Sequence, residues 1–272
     1  MRLLRYGPKG AEKPGLLDAQ GRMRDLSGKI SDIDGSALGP DSLPLVEGSP
    51  RIGAPVANVP NLVCIGLNYA DHARETNSPI PEVPIVFMKH TGSIIGPDDK
   101  VKIPRGSTRV DWEVELGVVI GSEASYVDEA KALDHVAGYC IVNDVSERDH
   151  QRNGGGGQWI KGKSHPTFAP VGPWLVTKDD VADPQSLPLW LEVDGTRRQD
   201  GSTRTMIFGV KQLVADVSRY MTLLPGDIIS TGTPPGVGMG HKPEPIFLKP
   251  GSVMRVGVEG LGEQRQEVIP FD

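Results

Sequence analysis

The sequence predicts an α/β (α+β) fold that is β-rich: a main core of many short strands with few, short helices, preceded by a small N-terminal unit. Three observations predict it. Glycine (34) and proline (24) make up about a fifth of the 272 residues, against roughly 12% in an average protein, and long helices tolerate neither in their interior. Apolar runs are short and bounded by Gly, Pro or Asn, as in NLVCIG and VAGYCIVN, which reads as buried strand. Helical spacing is extended only at residues 210–222, where Leu213, Val214, Val217 and Met221 share a face. That pattern suits a mixed protein with a β core better than a doubly wound sheet.

In chain order, residues 1–6 and 13–17 read as short strands, followed by the polar turn 18–21. The chain after Leu26 is irregular, with the turn-rich GPDSLP, and RIGAPVANVPN reads as a linker. Residues 1–57 are therefore expected as a small N-terminal domain and 58–272 as the main domain. In the latter, strands are expected at 61–66, 83–88, 110–121, 136–143, 170–177, 187–193, 227–232 and 252–259. Helices are expected at 68–76, 127–135 and 210–222. The glycine run at 154–157 lacks the spacing of a dinucleotide fingerprint or a P-loop and reads as a flexible loop beside a site.

The formal net charge of -6 gives no attraction for a phosphate backbone, so nucleic-acid binding is not expected. No apolar stretch nears the roughly 20 residues of a membrane span, and Gly and Pro interrupt the N-terminus before a signal-length run. A cytoplasmic location without membrane association is the default. Cys64 and Cys140 each lie in an apolar run and read as buried thiols rather than a disulfide framework.

The chemistry concentrates in Asp111-Trp112-Glu113-Val114-Glu115-Leu116-Gly117-Val118. Strand side chains alternate faces, so Trp112, Val114, Leu116, Val118 and Ile120 share an apolar face while Glu113 and Glu115 share the other. Two carboxylates about 5 Å apart at an effective dielectric near 20 repel by on the order of 3 kcal/mol. On a buried strand, a cation must sit between them or one pKa must rise. Alone, the pair also fits an exposed edge with solvated glutamates. Asp144, directly after the apolar run 136–143, offers a third carboxylate at a strand end. An all-oxygen set suits Mg²⁺, Mn²⁺ or Ca²⁺ rather than Zn²⁺ and leaves positions for a chelating substrate.

His72 and Glu75, at i and i+3 on a helix, share a face; a carboxylate beside an imidazole orients it for proton transfer, although the spacing also suits an incidental surface pair. His90, His135, His150, His165 and His241 show no ligand spacing to one another. Lys163, between Gly162 and Ser164, reads as a site lysine or a surface loop charge. STGTPPGVG reads as a stiff turn with hydroxyls at a strand end, or a plain loop.

Together GLNYADHARE, VDWEVELGVVIG, NDVSERDHQ, the GKS segment and STGTPPGVG, over about residues 60–240, resemble the fumarylacetoacetate hydrolase family. The resemblance implies irregular mixed β-sheets rolled around a metal site, a homodimer, and Mg²⁺ or Mn²⁺ (Ca²⁺ in some members) on Glu113, Glu115 and Asp144. It also implies His72, Glu75 and Lys163 as catalytic residues, with His72 and Glu75 on a short helix that can close as a lid. Gln151 and Thr233 match substrate-contacting positions, Lys89 a lysine at the pocket rim, and Thr167 a position near the metal. The chain departs from the family's GKSFDT, reading Gly162-Lys163-Ser164-His165-Pro166-Thr167. The N-terminal text is similar to bacterial members known as ureidoglycolate lyase or 2,4-diketo-3-deoxy-sugar-acid hydrolase. The implied activity is metal-dependent cleavage of a C–C bond in a small 2,4-dioxo acid. Decarboxylation of an oxaloacetate-type acid and isomerisation of an unsaturated 2-oxo diacid are the alternatives on the same site. Outside catalysis, a metal-dependent binder of small acids and a purely structural cation site remain.

Overall fold

The computed structural model describes residues 1–30, 43–154 and 156–272; part of GPDSLP and one position of the glycine run lie outside them. The described residues form a ten-stranded sheet, a five-stranded sheet and a two-stranded ladder. The large sheet runs in the order Met23–Asp25, Lys13–Leu17, Arg2–Tyr6, Ala169–Thr177, Val136–Asn143, Val114–Ile120, Ile228–Ser230, Leu62–Gly66, Ile85–Lys89, with Ile94–Ile95 beside Ala169–Thr177. The smaller sheet runs Thr196–Ser202, Pro188–Val193, Val253–Val258, Gly262–Pro270, Val101–Ile103. The fold is the β-rich mixed class that the composition predicts.

The N-terminal segment, expected as a separate unit, is hydrogen-bonded into the large sheet, with Arg2 opposite Val176 and Leu3 opposite Leu175. Leu3, Leu16 and Leu26 are buried with Cys64, Cys140, Val171 and Ile228. The segment thus extends the sheet and covers one face. The larger core holds Val63, Ile65, Val114, Leu116, Val118 and Ile120, while Leu62, Cys64 and Val119 belong to the first. Period-2 alternation therefore feeds two cores, one on each face, and both faces of the carboxylate-bearing strand are buried.

Element boundaries differ where local geometry overrides pattern. The strand expected at 110–121 is interrupted at Trp112–Glu113, leaving Val110–Asp111 and Val114–Ile120. The interruption arises because the Glu113 N–H donates to the Asn143 side chain (3.2 Å) and the Glu113 carbonyl accepts from the Asp144 N–H (2.9 Å). The helix expected at 127–135 is a 3₁₀ segment, Glu129–His135, and that at 68–76 is Ala70–Glu75. Two short helices, Arg148–Arg152 and Trp159–Lys163, have no counterpart in the sequence reading, being too short to show a period. They pack closely because residue 162 is glycine: a Cβ there would lie 2.4 Å from both the Glu147 carbonyl oxygen and the Gln151 nitrogen.

Candidate active site

The strand Val114–Ile120, paired with the end of Val136–Asn143, borders a cavity of about 60 Å³ whose lining includes Glu113 and Glu115. The register sets Glu115 opposite Val142 and Val114 opposite Asn143, so Asp144 leaves its strand beside Glu113. One carboxylate oxygen from each of Glu113, Glu115 and Asp144 lies within 4.8 Å of the others, and all three residues are buried.

Each carboxylate has different company. Lys163 Nζ donates to Glu113 Oε2 and Asp144 Oδ2, both at 2.7 Å. Lys89 Nζ donates to Asp144 Oδ1 (2.6 Å) and the Val145 carbonyl (3.0 Å). Arg148 pairs with Glu113 Oε1 and with Asp111 Oδ2, both at 2.8 Å. Glu115, by contrast, is hydrogen-bonded by neutral donors among the described residues: the Ser230 hydroxyl at 2.5 Å and the Gly232 N–H at 3.0 Å. Both come from STGTPPG, whose Thr231 and Thr233 hydroxyls also donate to the Leu116 and Val114 carbonyls at 2.8 and 2.9 Å. Position 232 must be glycine: its φ is +94°, and a Cβ would meet the Asn68 Cβ at 2.8 Å.

These partners divide the acids. Burial opposes ionisation of Glu113, but Lys163 and Arg148 override it and hold the carboxyl at about 2. Burial pushes Glu115 well above its usual range, and the Asp144 and Glu113 carboxylates push the same way. For Lys163, burial favours the neutral amine, and Asp144 with Glu113 outweighs it to favour the ammonium. Burial lowers the Lys89 pKa.

The donor set therefore fits a hard cation. Three buried carboxylate oxygens converge, and the one without a cationic partner is the one whose charge the protein alone does not support. One consequence is measurable. With its pKa raised above the ordinary 4.5, Glu115 is protonated in the metal-free protein below that raised value, and a dication must displace the proton. Adding Mn²⁺ is expected to release protons in weakly buffered solution, and affinity should rise with pH. The same shift makes Glu115's contribution to metal-free stability complete below about 4.5 and lost as pH climbs through the raised value. Calorimetric titration in buffers of different ionisation enthalpy reads the proton; no release and a pH-independent affinity would refute the assignment.

On the cavity wall, His72 Nδ1 lies 3.0 Å from Glu75 Oε2, and Glu75 Oε1 accepts from the Gly236 N–H at 2.9 Å. The helix carrying both is anchored at its start by buried Asn68, whose amide nitrogen donates to the Phe208 and Thr231 carbonyls (3.0 and 2.8 Å). His72, Lys163, Gln151 and Thr233 line the same cavity as Glu113 and Glu115.

One expected position needs correction. Lys89 is 1% exposed, bonded to Asp144 away from the cavity lining and not at a rim, because its strand Ile85–Lys89 pairs directly with buried Leu62–Gly66. The Thr167 hydroxyl, on a residue with φ at +74°, accepts from the Lys102 N–H at 2.8 Å. The sequence reading missed Arg148. Its Nη1 also donates to Gln151 Oε1 at 3.0 Å, and its Nη2 is buried without a partner among the described residues. An arginine four places after Asp144, in a segment already marked for chemistry, was the available signal. It also missed that His150 Nδ1 and His165 Nε2 come within 2.8 Å.

Among the described residues no helix is long and apolar enough to cross a membrane. Residues 61–269 match the family model described as fumarylacetoacetate (FAA) hydrolase C-terminal. Proteins of Burkholderia lata and Burkholderia multivorans, named only as hydrolases, are each 61% identical over 277 residues, covering 98% of both chains. Among solved structures, a fumarylacetoacetate hydrolase from Exiguobacterium antarcticum is 35% identical with a TM-score of 0.88 over the whole of both chains. A 2-hydroxyhepta-2,4-diene-1,7-dioate isomerase from Mycobacterium marinum is 35% identical with a TM-score of 0.77, covering 99% of this chain and 98% of that one.

Proposed function

The chain belongs to the fumarylacetoacetate hydrolase family, and from that premise we propose that it cleaves a C–C bond in a small 2,4-dioxo acid with a divalent metal held by Glu113, Glu115 and Asp144. The observation that carries this reading is the buried triad beside a cavity that Glu113, Glu115 and His72 line together, with Glu75 bonded to His72 from behind. Mg²⁺ or Mn²⁺, with Ca²⁺ a third candidate, would supply Lewis-acid polarisation of the substrate's oxo group.

The protein's own groups account for the proton and charge movements. Glu75 fixes the His72 ring through Nδ1 and leaves Nε2 to take a proton from water. The bond between the carbonyl that water attacks and the neighbouring carbon then breaks, and negative charge collects on the 2-oxo-acid fragment. Lys163 uses two of its three donors on Glu113 and Asp144, so one remains for that charge. The unpartnered Nη2 of Arg148 is a second donor, and Gln151 and Thr233 shape the wall. Lys89 supports Asp144 from behind.

His72→Ala is expected to bind Mn²⁺ as the wild type does while losing hydrolysis by about 100- to 10,000-fold, the range for a lost general base. Full hydrolytic activity in that variant would overturn the base assignment. Isomerisation of an unsaturated 2-oxo diacid is the second reading, favoured by the similarity to the Mycobacterium marinum isomerase. A panel of 2-oxo and 2,4-dioxo acids with Mg²⁺ separates the readings. Pyruvate plus a second acid supports hydrolysis, CO₂ points to decarboxylation, and a shifted double bond with unchanged mass points to isomerisation.

A further inference from the structure

One cation on the cavity wall has no part in the chemistry above. Arg152, the last residue of the helix Arg148–Arg152, lines the cavity with His72 and Lys163. It is exposed, and its guanidinium makes no hydrogen bond or ion pair with any described residue. Lys163 and Arg148, on the same wall, are each committed to two carboxylates. Partial burial disfavours the charge of Arg152, the Arg148 and Arg109 guanidiniums act the same way, and Glu113 opposes them. Arg109 is already paired with Asp149 at 3.4 Å. An arginine held among cations at a cavity mouth has its fork of donors open to an incoming anion.

Its placement says where that anion lies. Positions four apart on a helix share a face and are separated by about 6 Å along the axis. Arg152 therefore stands one helical turn from Arg148, whose buried Nη2 also lacks a partner, and farther from the triad. Arg152 thus adds an exposed cationic donor to a cavity whose lining also holds Glu113 and Glu115.

We propose that Arg152 is a specificity-determining residue that pairs with the terminal carboxylate of a 2-oxo diacid, while the 2-oxo acid end lies at the triad. The inference rests on reading the triad as a 2-oxo-acid site. It narrows the substrate class from small 2-oxo acids to those with a second carboxylate at the far end. Because Arg152 is solvent-accessible, it acts on binding and its effect weakens with salt.

The test uses Mn²⁺-loaded protein and two six-carbon probes, 2-oxoadipate and 2-oxohexanoate, which differ at the terminal carboxylate. Calorimetric titration of the wild type should show 2-oxoadipate bound about 10- to 100-fold tighter, the range for a hydrogen-bonded charge. Arg152→Gln should bring the preference near one and leave 2-oxohexanoate affinity unchanged, which also reports an intact site. Arg152→Lys should keep part of the preference, and Arg152→Glu should reverse it. A wild-type preference that Arg152→Gln retains overturns the inference, as does a wild type that binds both probes equally. If neither probe binds, the 2-oxo-acid reading of the triad fails, and the inference with it.

Discussion

Glu113→Gln and Glu115→Gln should both lose metal-dependent turnover by at least about a thousandfold, the upper range for removing one preorganised charge-stabilising group, yet differ sharply in metal-free stability. Glu113 is the shared counter-charge of two buried cations, Lys163 and Arg148. Neutralising it breaks both pairs at once, and a broken buried pair costs about 3–5 kcal/mol. Part of that cost is relieved because Lys163 keeps Asp144 and Arg148 keeps Asp111, so the low end is expected, a fall in Tm of on the order of 5–10 °C. Glu115 faces neutral donors, and burial with its two carboxylate neighbours pushes its pKa well up, so the metal-free protein favours its neutral form. Glutamine copies that neutral form and can still accept from Ser230 and Gly232, so the metal-free melting curve should barely move. Thermal melts with and without Mn²⁺ check this: neither variant should show the wild type's metal-induced rise. A Glu115→Gln protein as destabilised as Glu113→Gln would show that Glu115 is ionised in the metal-free protein and would sink the charge assignment.

Replacing Lys163 with Met separates metal binding from turnover in the opposite sense. The ammonium bridges Glu113 and Asp144 at 2.7 Å to each, so it neutralises the metal-free site and competes with any dication for the same oxygens. Without it, two buried carboxylates share Lys89 and Arg148 alone, and metal-free stability should fall by about 3–5 kcal/mol. Mn²⁺ affinity should rise, because no cation has to be accommodated beside the metal, and saturating Mn²⁺ should restore much of the lost stability. Turnover should still fall by about 100- to 1,000-fold, since the donor for the developing charge is gone. Lys163→Arg should not restore it: a planar fork does not replace a point charge, and Gly162 leaves the two short helices no slack. Titration of metal-free wild type and Lys163→Met with Mn²⁺ decides the matter. Affinity falling in step with turnover would mean that Lys163 supports the metal rather than competing with it.

Much of the site was legible because strand geometry is local. Alternation alone placed Glu113 and Glu115 on one face and sent Val114, Leu116, Val118 and Ile120 to the other, where they form the larger core. The end of an apolar run placed Asp144, and a three-residue helical step placed His72 beside Glu75. The two short helices were not legible, since five residues each hold too little of a helical period to register. With them went Arg148 and Arg152. The resemblance singled out Lys89 but not its depth, because burial of the Ile85–Lys89 strand end depends on what covers it.

By itself, then, the sequence determined the β-rich class, the placing of two carboxylates on one strand face, a third acid at a strand end, and a histidine within a helical step of a glutamate. These follow from backbone periods of two and 3.6 residues, which are fixed wherever the chain goes. Only the tertiary structure decided which cation meets which acid. Lys163 and Glu113 are 50 residues apart in sequence, Lys89 and Asp144 55. Those pairings favour the charged form of Glu113 and leave Glu115 biased toward its neutral form, because in a buried site the charge state depends on the nearest opposite charge and the loss of water, and neither is a property of a segment taken alone.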